Sequence, residues 1–148
     1  ALTYIESRTH FALWCMMAAP LMAGNNLQKM NGRILKVLTN KNAIGVDQDP
    51  MGIQCFLWKK EKGLEVWLKP LADGSFALCF LNRSIKMAHV NFNARQTVTD
   101  PDFNKTYTID DSYSVFDVWG NKIKGTTEKN IVKTLRGHDE LFVILKKK

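Results

Sequence analysis

The groups with which this chain could do acid–base or metal chemistry are fourteen carboxylates and three histidines. Two carboxylates that work on one bond must reach it from the same side. Asp110 and Asp111 are adjacent, so on a strand they would point to opposite faces. Asp47 and Asp49, in Val46-Asp47-Gln48-Asp49-Pro50, could approach one another in a loop. Asp49-Pro50 is also an ordinary turn signal, and the turn is the better reading. His10, His89 and His138 lie far apart and lack ligand spacing, so each reads as a turn or surface residue. The chain has no G-x-S-x-G elbow, H-E-x-x-H pair, phosphate loop or dinucleotide fingerprint. No catalytic residue, metal ligand or cofactor-binding residue is therefore assigned, and no substrate-binding residue can be named.

Trp58, Trp67, Trp119, Tyr107 and Tyr113 could stack on sugar rings if they shared a sheet face. Core packing is the better account, because such side chains bury the most area. Trp58 and Trp67 fall in neighbouring strands, where cross-strand pairing is expected. Cys15, Cys55 and Cys79 form no C-x-x-C pair and no even framework. Cys55 and Cys79 could be neighbours, but buried free thiols are expected. The sequons Asn82-Arg83-Ser84 and Asn104-Lys105-Thr106 do not fix a compartment.

What positions these residues changes character near Pro50. Thr3 and Glu6 have capping-box spacing, and the helix they open is expected from Tyr4 to about Ala18. Pro20 ends it, so Pro20-Leu21-Met22-Ala23 reads as a short buried strand closed by Gly24. A second helix is expected after Asn31 to about Thr39, then irregular chain from Asn40 to Pro50 with room for one helical turn. Phe11 to Ala23 is apolar all round and so must be covered all round. Nothing else in residues 1–50 supplies that cover, so the opening third reads as part of a larger α/β core. This run spans thirteen residues and contains Pro20. A membrane span needs about twenty, and no signal-peptide pattern opens the chain. No membrane partner is expected.

After Pro50 the period becomes two. Leu64, Val66 and Leu68 alternate with Glu65, Trp67 and Lys69 as in a half-buried strand. Phe76, Leu78 and Phe80 follow across Ala72-Asp73-Gly74-Ser75, where Asp-Gly predicts a type I′ hairpin. Further strands are expected over 53–59, 87–93, 106–109, 113–119, 130–135 and 140–145. About eight short strands with regular turn signals indicate an antiparallel β-sandwich. The division expected is 1–51 and 52–148. A length of 148 residues excludes a complete eight-stranded α/β barrel, which takes about 250. The 21 basic and 14 acidic residues give a net charge of +7. The excess is spread along the chain, so no nucleic-acid partner is expected.

Arg8-Thr9-His10-Phe11-Ala12-Leu13-Trp14-Cys15-Met16-Met17-Ala18-Ala19-Pro20-Leu21-Met22-Ala23-Gly24-Asn25 resembles a segment of glycoside hydrolase family 27, the α-galactosidases (melibiases) and α-N-acetylgalactosaminidases. The resemblance continues through Leu38-Thr39-Asn40-Lys41, Val46-Asp47-Gln48-Asp49-Pro50-Met51-Gly52 and Leu64-Glu65-Val66-Trp67-Leu68-Lys69-Pro70, and reaches Phe80-Leu81-Asn82-Arg83. Beyond residue 83 it is loose, mainly Asp117-Val118-Trp119. Asn26 and Asp47 depart from the family's frequent Asp and Asn.

The resemblance implies a mainly β chain, an antiparallel β-sandwich preceded by the last helix–strand–helix of a (β/α)8 barrel. It implies a cofactor-free retaining hydrolase acting on terminal α-linked galactose through two aspartates about 5–5.5 Å apart. Both would lie upstream of the residues present here, so this chain alone is expected to be inactive. A secreted, periplasmic or lysosomal location is implied. A non-enzymatic carbohydrate-binding β-sandwich is the alternative. Residues 1–50 are expected either to self-associate or to dock on the sandwich.

Overall fold

A computed structural model describes residues 2–19 and 31–148. The strand expected at Pro20–Ala23 lies outside the described residues. Helix α1 spans Tyr4–Met16. Its Thr3 cap forms the full capping box, with the Glu6 amide donating to Thr3 Oγ1 and the Thr3 amide to Glu6 Oε2, both at 3.1 Å. It ends two residues before the expected Ala18, which is left-handed (φ 53°). The Ala19 amide donates to Trp14 O and the Ala18 amide to Cys15 O, a Schellman closure.

Helix α2 spans Gly32–Leu38, capped by Asn31 as the expected second helix requires. Lys41–Asp47 forms a third helix, α3, longer than the single helical turn allowed for in the irregular chain expected there. Its signal is Asn40, whose side chain accepts from the Ala43 amide at 3.0 Å.

Ten strands follow, rather than about eight. They are β1 Phe56–Glu61, β2 Leu64–Pro70, β3 Phe76–Asn82, β4 Ala88–Phe92, β5 Thr97–Asp100, β6 Lys105–Thr108, β7 Tyr113–Asp117, β8 Lys122–Thr126, β9 Ile131–Leu135 and β10 Glu140–Lys147. The two unexpected strands, β5 and β8, carry little apolar alternation. β8 is an almost wholly exposed edge whose Lys122 and Lys124 discourage pairing with another chain.

The strands form one six-stranded antiparallel sheet, β1-β2-β3-β10-β7-β8, and two ribbons, β4-β9 and β5-β6. Lys62 (φ 48°) and Gly63 (φ 82°) make the tight β1–β2 turn with both central residues left-handed, the type I′ pattern. At the expected Asp73-Gly74 hairpin only Gly74 has positive φ, so that turn is not type I′. The connection is longer there: the Leu71 amide donates to Ser75 O, and Asp73 Oδ1 accepts from the Ser75 amide.

The six-stranded sheet is covered on both faces. Phe76, Leu78 and Phe80 of β3 and Leu141, Val143 and Leu145 of β10 point into a core shared with the ribbon residues Val90, Phe92, Val98 and Ile131. The alternate residues Ala77, Cys79, Phe142 and Ile144 join Phe11, Ala12, Cys15, Met16, Val37, Ala43 and Val46 of the helices in a second core. The half-buried pattern expected of β2 is corrected accordingly: Glu65 and Lys69 are as buried as Val66 and Leu68. Polar residues at alternate positions face the helices there, not water.

Candidate functional site

The structure separates the residues that sequence singled out. Asp49 is tied to the loop ahead of β3, where its two oxygens each accept from the Ala72 amide at 3.1 Å and one also accepts from the Met51 amide. Asp47 is buried. Its Oδ2 accepts from Gln48 Nε2 at 2.8 Å, and Oδ1 meets no donor among the described residues. Asp49 holds chain in place, as the turn reading expected. Asp110 closes the turn ahead of β7 by accepting from the Ser112 amide and hydroxyl, which hold its carboxyl below the usual range.

The histidines sit in three places. His10 tilts against Trp14, with ring centroids 5.0 Å apart. His89 Nδ1 lies 3.0 Å from Thr134 Oγ1, and His138 Nδ1 lies 3.2 Å from Glu6 Oε1. No cluster able to hold a metal ion occurs among the described residues, and no described helix is long and apolar enough to cross a membrane.

The aromatic rings divide between the two cores. Trp58 packs edge-on against Phe92 at 4.8 Å, and Tyr107 and Tyr113 pack against Phe76. Trp67 and Trp119 lie on the helix side of the sheet. Trp58 and Trp67 do not pair as expected. A register shift between Leu57 and Lys59 makes Leu57 the partner of Trp67 and leaves Trp58 in the inner core. These five rings offer no common platform for a sugar.

All three cysteines are free and buried. Burial pushes Cys15 and Cys55 up to about 12 and raises Cys79 as well, so these thiols stay protonated and unreactive. Asn82 is fully buried, with Nδ2 donating to Lys86 O at 2.7 Å and Arg136 O at 2.8 Å. Asn104 is exposed, with φ 52°.

The polar groups that do converge are those that seat the helices on the sheet, and no sequence motif marked them. Lys69 on β2 is fully buried. Its ammonium donates to Val46 O at 2.5 Å and Cys15 O at 3.3 Å. Both carbonyls belong to the last turns of α3 and α1, where carbonyls lack helical partners and attract positive charge. Burial lowers the Lys69 pKa, and Asp47 and Asp49 oppose that shift.

At the other end of the seat, Arg8 of α1 donates from Nε to Glu140 Oε1 at 2.8 Å and from Nη2 to Asp139 Oδ1 at 2.5 Å. Trp119 Nε1 reaches both Glu140 oxygens, at 3.1 and 3.2 Å. Burial raises the Glu140 carboxyl to about 7, against the lowering effect of Arg8 and Trp119. On β2, Glu65 accepts from Trp67 Nε1 at 2.9 Å and from Arg83 Nε at 2.8 Å. Period-two alternation hid this set, because Glu65 and Lys69 sit where a strand with one wet face carries solvated charge.

An open groove of about 440 Å³ runs beside α1, floored by Leu13 and Leu81 and rimmed by Glu6, His10, Arg83 and His138. A second cleft of about 270 Å³ opens between β8 and β9. Neither contains Asp47 or Asp49.

Residues 61–145 match the α-galactosidase C-terminal β-sandwich domain family, and residues 1–49 match the α-galactosidase A family. The α-galactosidase A of Cellvibrio japonicus is 35% identical over 129 residues, which are 86% of this chain and 32% of that protein. The α-N-acetylgalactosaminidase of Gallus gallus is 34% identical over 114 residues, 76% of this chain and 28% of its own length. A Bacteroides fragilis crystal structure with an α-galactosidase/melibiase assignment superposes with a TM-score of 0.83 at 33% identity, covering 99% of this chain and 29% of that one. The chain thus spans about one third of the length of the curated relatives it matches. With a sandwich over 61–145 and helices over 1–49 that match the end of the catalytic domain, the chain belongs to the glycoside hydrolase family 27 α-galactosidases, whose C-terminal portion it represents.

Proposed function

We propose that this chain is the C-terminal part of a retaining α-galactosidase that hydrolyses terminal α-linked galactose without a cofactor. In this reading residues 1–51 complete a (β/α)8 catalytic barrel, and residues 52–148 are the sandwich on which that part of the barrel rests. The two catalytic aspartates belong to earlier barrel strands, so the 148 residues alone do not turn over substrate. The α-galactoside is a substrate of the whole enzyme. The choice between galactose and its N-acetylamino relative is made outside these residues.

The observation that carries the reading is the seat itself, together with family membership. Phe11, Ala12, Cys15 and Met16 of α1 pack on the outer face of the six-stranded sheet, while Trp14, Met17, Leu35 and Met51 remain exposed. One side of the helical segment is covered by the sandwich, and the other carries apolar surface of the kind that seeks a partner. In the whole enzyme that partner is the remaining barrel. In the isolated chain it is a second copy.

Assaying the purified 148-residue chain with p-nitrophenyl α-galactoside tests this reading. No release above background is expected, and family-typical turnover would overturn it. For a longer protein that ends in this chain, proton NMR of the first-formed sugar should show the α anomer. Release of the β anomer would refute a retaining mechanism. Saturable heat in a calorimetric titration of the 148 residues with galactose or melibiose would instead favour a carbohydrate-binding module.

A further inference from the structure

Two ionic contacts join α1 to the turn between β9 and β10. In the first, one guanidinium faces two carboxylates, since Arg8 donates to both Glu140 and Asp139. The Glu140 side chain is completely buried and that of Asp139 is 14% exposed. With both carboxylates ionised, the group carries one uncompensated negative charge. A single proton on Glu140 removes it and still leaves Arg8 paired with Asp139. In the second contact, His138 and Glu6 form a charged pair only when the imidazole is protonated. The other titratable groups facing Glu140 are few. Cys79 of β3 is held as the neutral thiol. Glu65 of β2 lies across Leu81 from Glu140 and is occupied by Arg83.

We propose that Arg8, Asp139 and Glu140, with Glu6 and His138, form a pH-responsive clasp that holds α1 more tightly on the sandwich in mildly acidic solution than in neutral or alkaline solution. The proton taken up comes from solvent and returns to it when α1 lifts away.

The direction follows from burial. Glu140 is raised from 4.5 to about 7 while α1 is seated, with desolvation the largest cause and Asp139 adding to it. A carboxyl raised in the seated state contributes stability that is fully present below its ordinary value and lost as pH rises through about 7. Glu6 acts oppositely: the Thr3 amide and His138 hold it below its ordinary value, so its contribution fades only in stronger acid. For a group with these two values, the ratio of lifted to seated α1 falls roughly 20-fold from pH 7.5 to 5.5.

Hydrogen exchange on the 148-residue chain, corrected for intrinsic rates, reads that ratio at the α1 amides. Protection of Phe11 to Met16 should rise by about an order of magnitude from pH 7.5 to 5.5. In Glu140→Gln the rise should be largely abolished. Equal protection at both pH values in the wild type would overturn the proposal, as would an undiminished rise in the variant. If the variant fails to fold, carboxyl carbon NMR of wild-type Glu140 decides. A midpoint near 7 supports the clasp, and a midpoint below 5 refutes it.

Discussion

Replacing Lys69 by Met keeps most of the length of the side chain and removes only the ammonium. The two bonds lost are charge-assisted, to Val46 O and Cys15 O, and such bonds contribute about 1.5–3 kcal/mol each. Part of this is offset, because the buried ammonium no longer has to be stripped of water. Removing one member of a buried ionic set typically costs about 3–5 kcal/mol. The acceptors here are carbonyls, and each keeps a backbone amide, Ala18 on Cys15 O and Asp49 on Val46 O, so the loss should fall below that range, at about 2–3 kcal/mol. Urea unfolding followed by tryptophan fluorescence measures it. With a slope of about 2 kcal/mol per molar, the midpoint should fall by about 1–1.5 M with the slope unchanged. A fall of under about 0.3 M, or a rise, would refute the assignment of Lys69 as the joint cap of α1 and α3. Adding Asp47→Asn should recover part of the loss, since Asp47 is the carboxylate whose charge most favours the Lys69 ammonium.

A methyl group at Gly137 would lie 2.5 Å from Ile85 O and 2.7 Å from its carbonyl carbon. Because backbone must move, Gly137→Ala should lower the melting temperature by several degrees, about 1–3 kcal/mol, and an unchanged melt would refute the close approach. Expressed in a secretory eukaryotic host, the chain should never carry a glycan on Asn82, whose amide is buried among carbonyls, whereas Asn104 is open to the transferase. Peptide mass mapping that finds an Asn82 glycan on folded protein would contradict the buried network.

The features legible in the sequence were those written in local chemistry. Thr3 and Glu6 announce α1, Asn31 announces α2, and the alternation of Val90 and Phe92 with His89 and Asn91 sets the facing of β4. The apolar run Phe11–Ala23 called for cover all round; over its described residues the sandwich covers one side, and Trp14 and Met17 stay exposed. What was missed depends on long-range placement. Lys69 and Glu65 look solvated until α1 and α3 are laid over the sheet. Trp58 pairs differently because a register shift, which leaves no sequence mark, turns it into the other core. β8 was missed because an edge strand of lysines has no buried face to give it a period.

The division of labour between the two cores explains why the helices and the sandwich occur together. On the inner side the packed cluster is apolar and buried polar groups such as Asn82 and Asp100 stand at strand ends, whereas the outer face of the sheet mixes Ala77, Cys79, Phe142 and Ile144 with buried Glu65, Lys69 and Glu140. Apolar contact there supplies attraction but little direction, since a helix can slide or roll on a greasy face. The ionic groups remove that freedom. Arg8, held by Glu140, and Cys15 O, held by Lys69, are seven residues apart on α1. Seven residues is about two helical turns and about 10 Å, so both anchors fall on the same side of the helix, one towards each end. A one-turn slide would strip Glu140 of Arg8 and leave Lys69 with Val46 O alone, which is costly for buried charged groups. The sandwich thus dictates the register of α1 as well as covering one side of it.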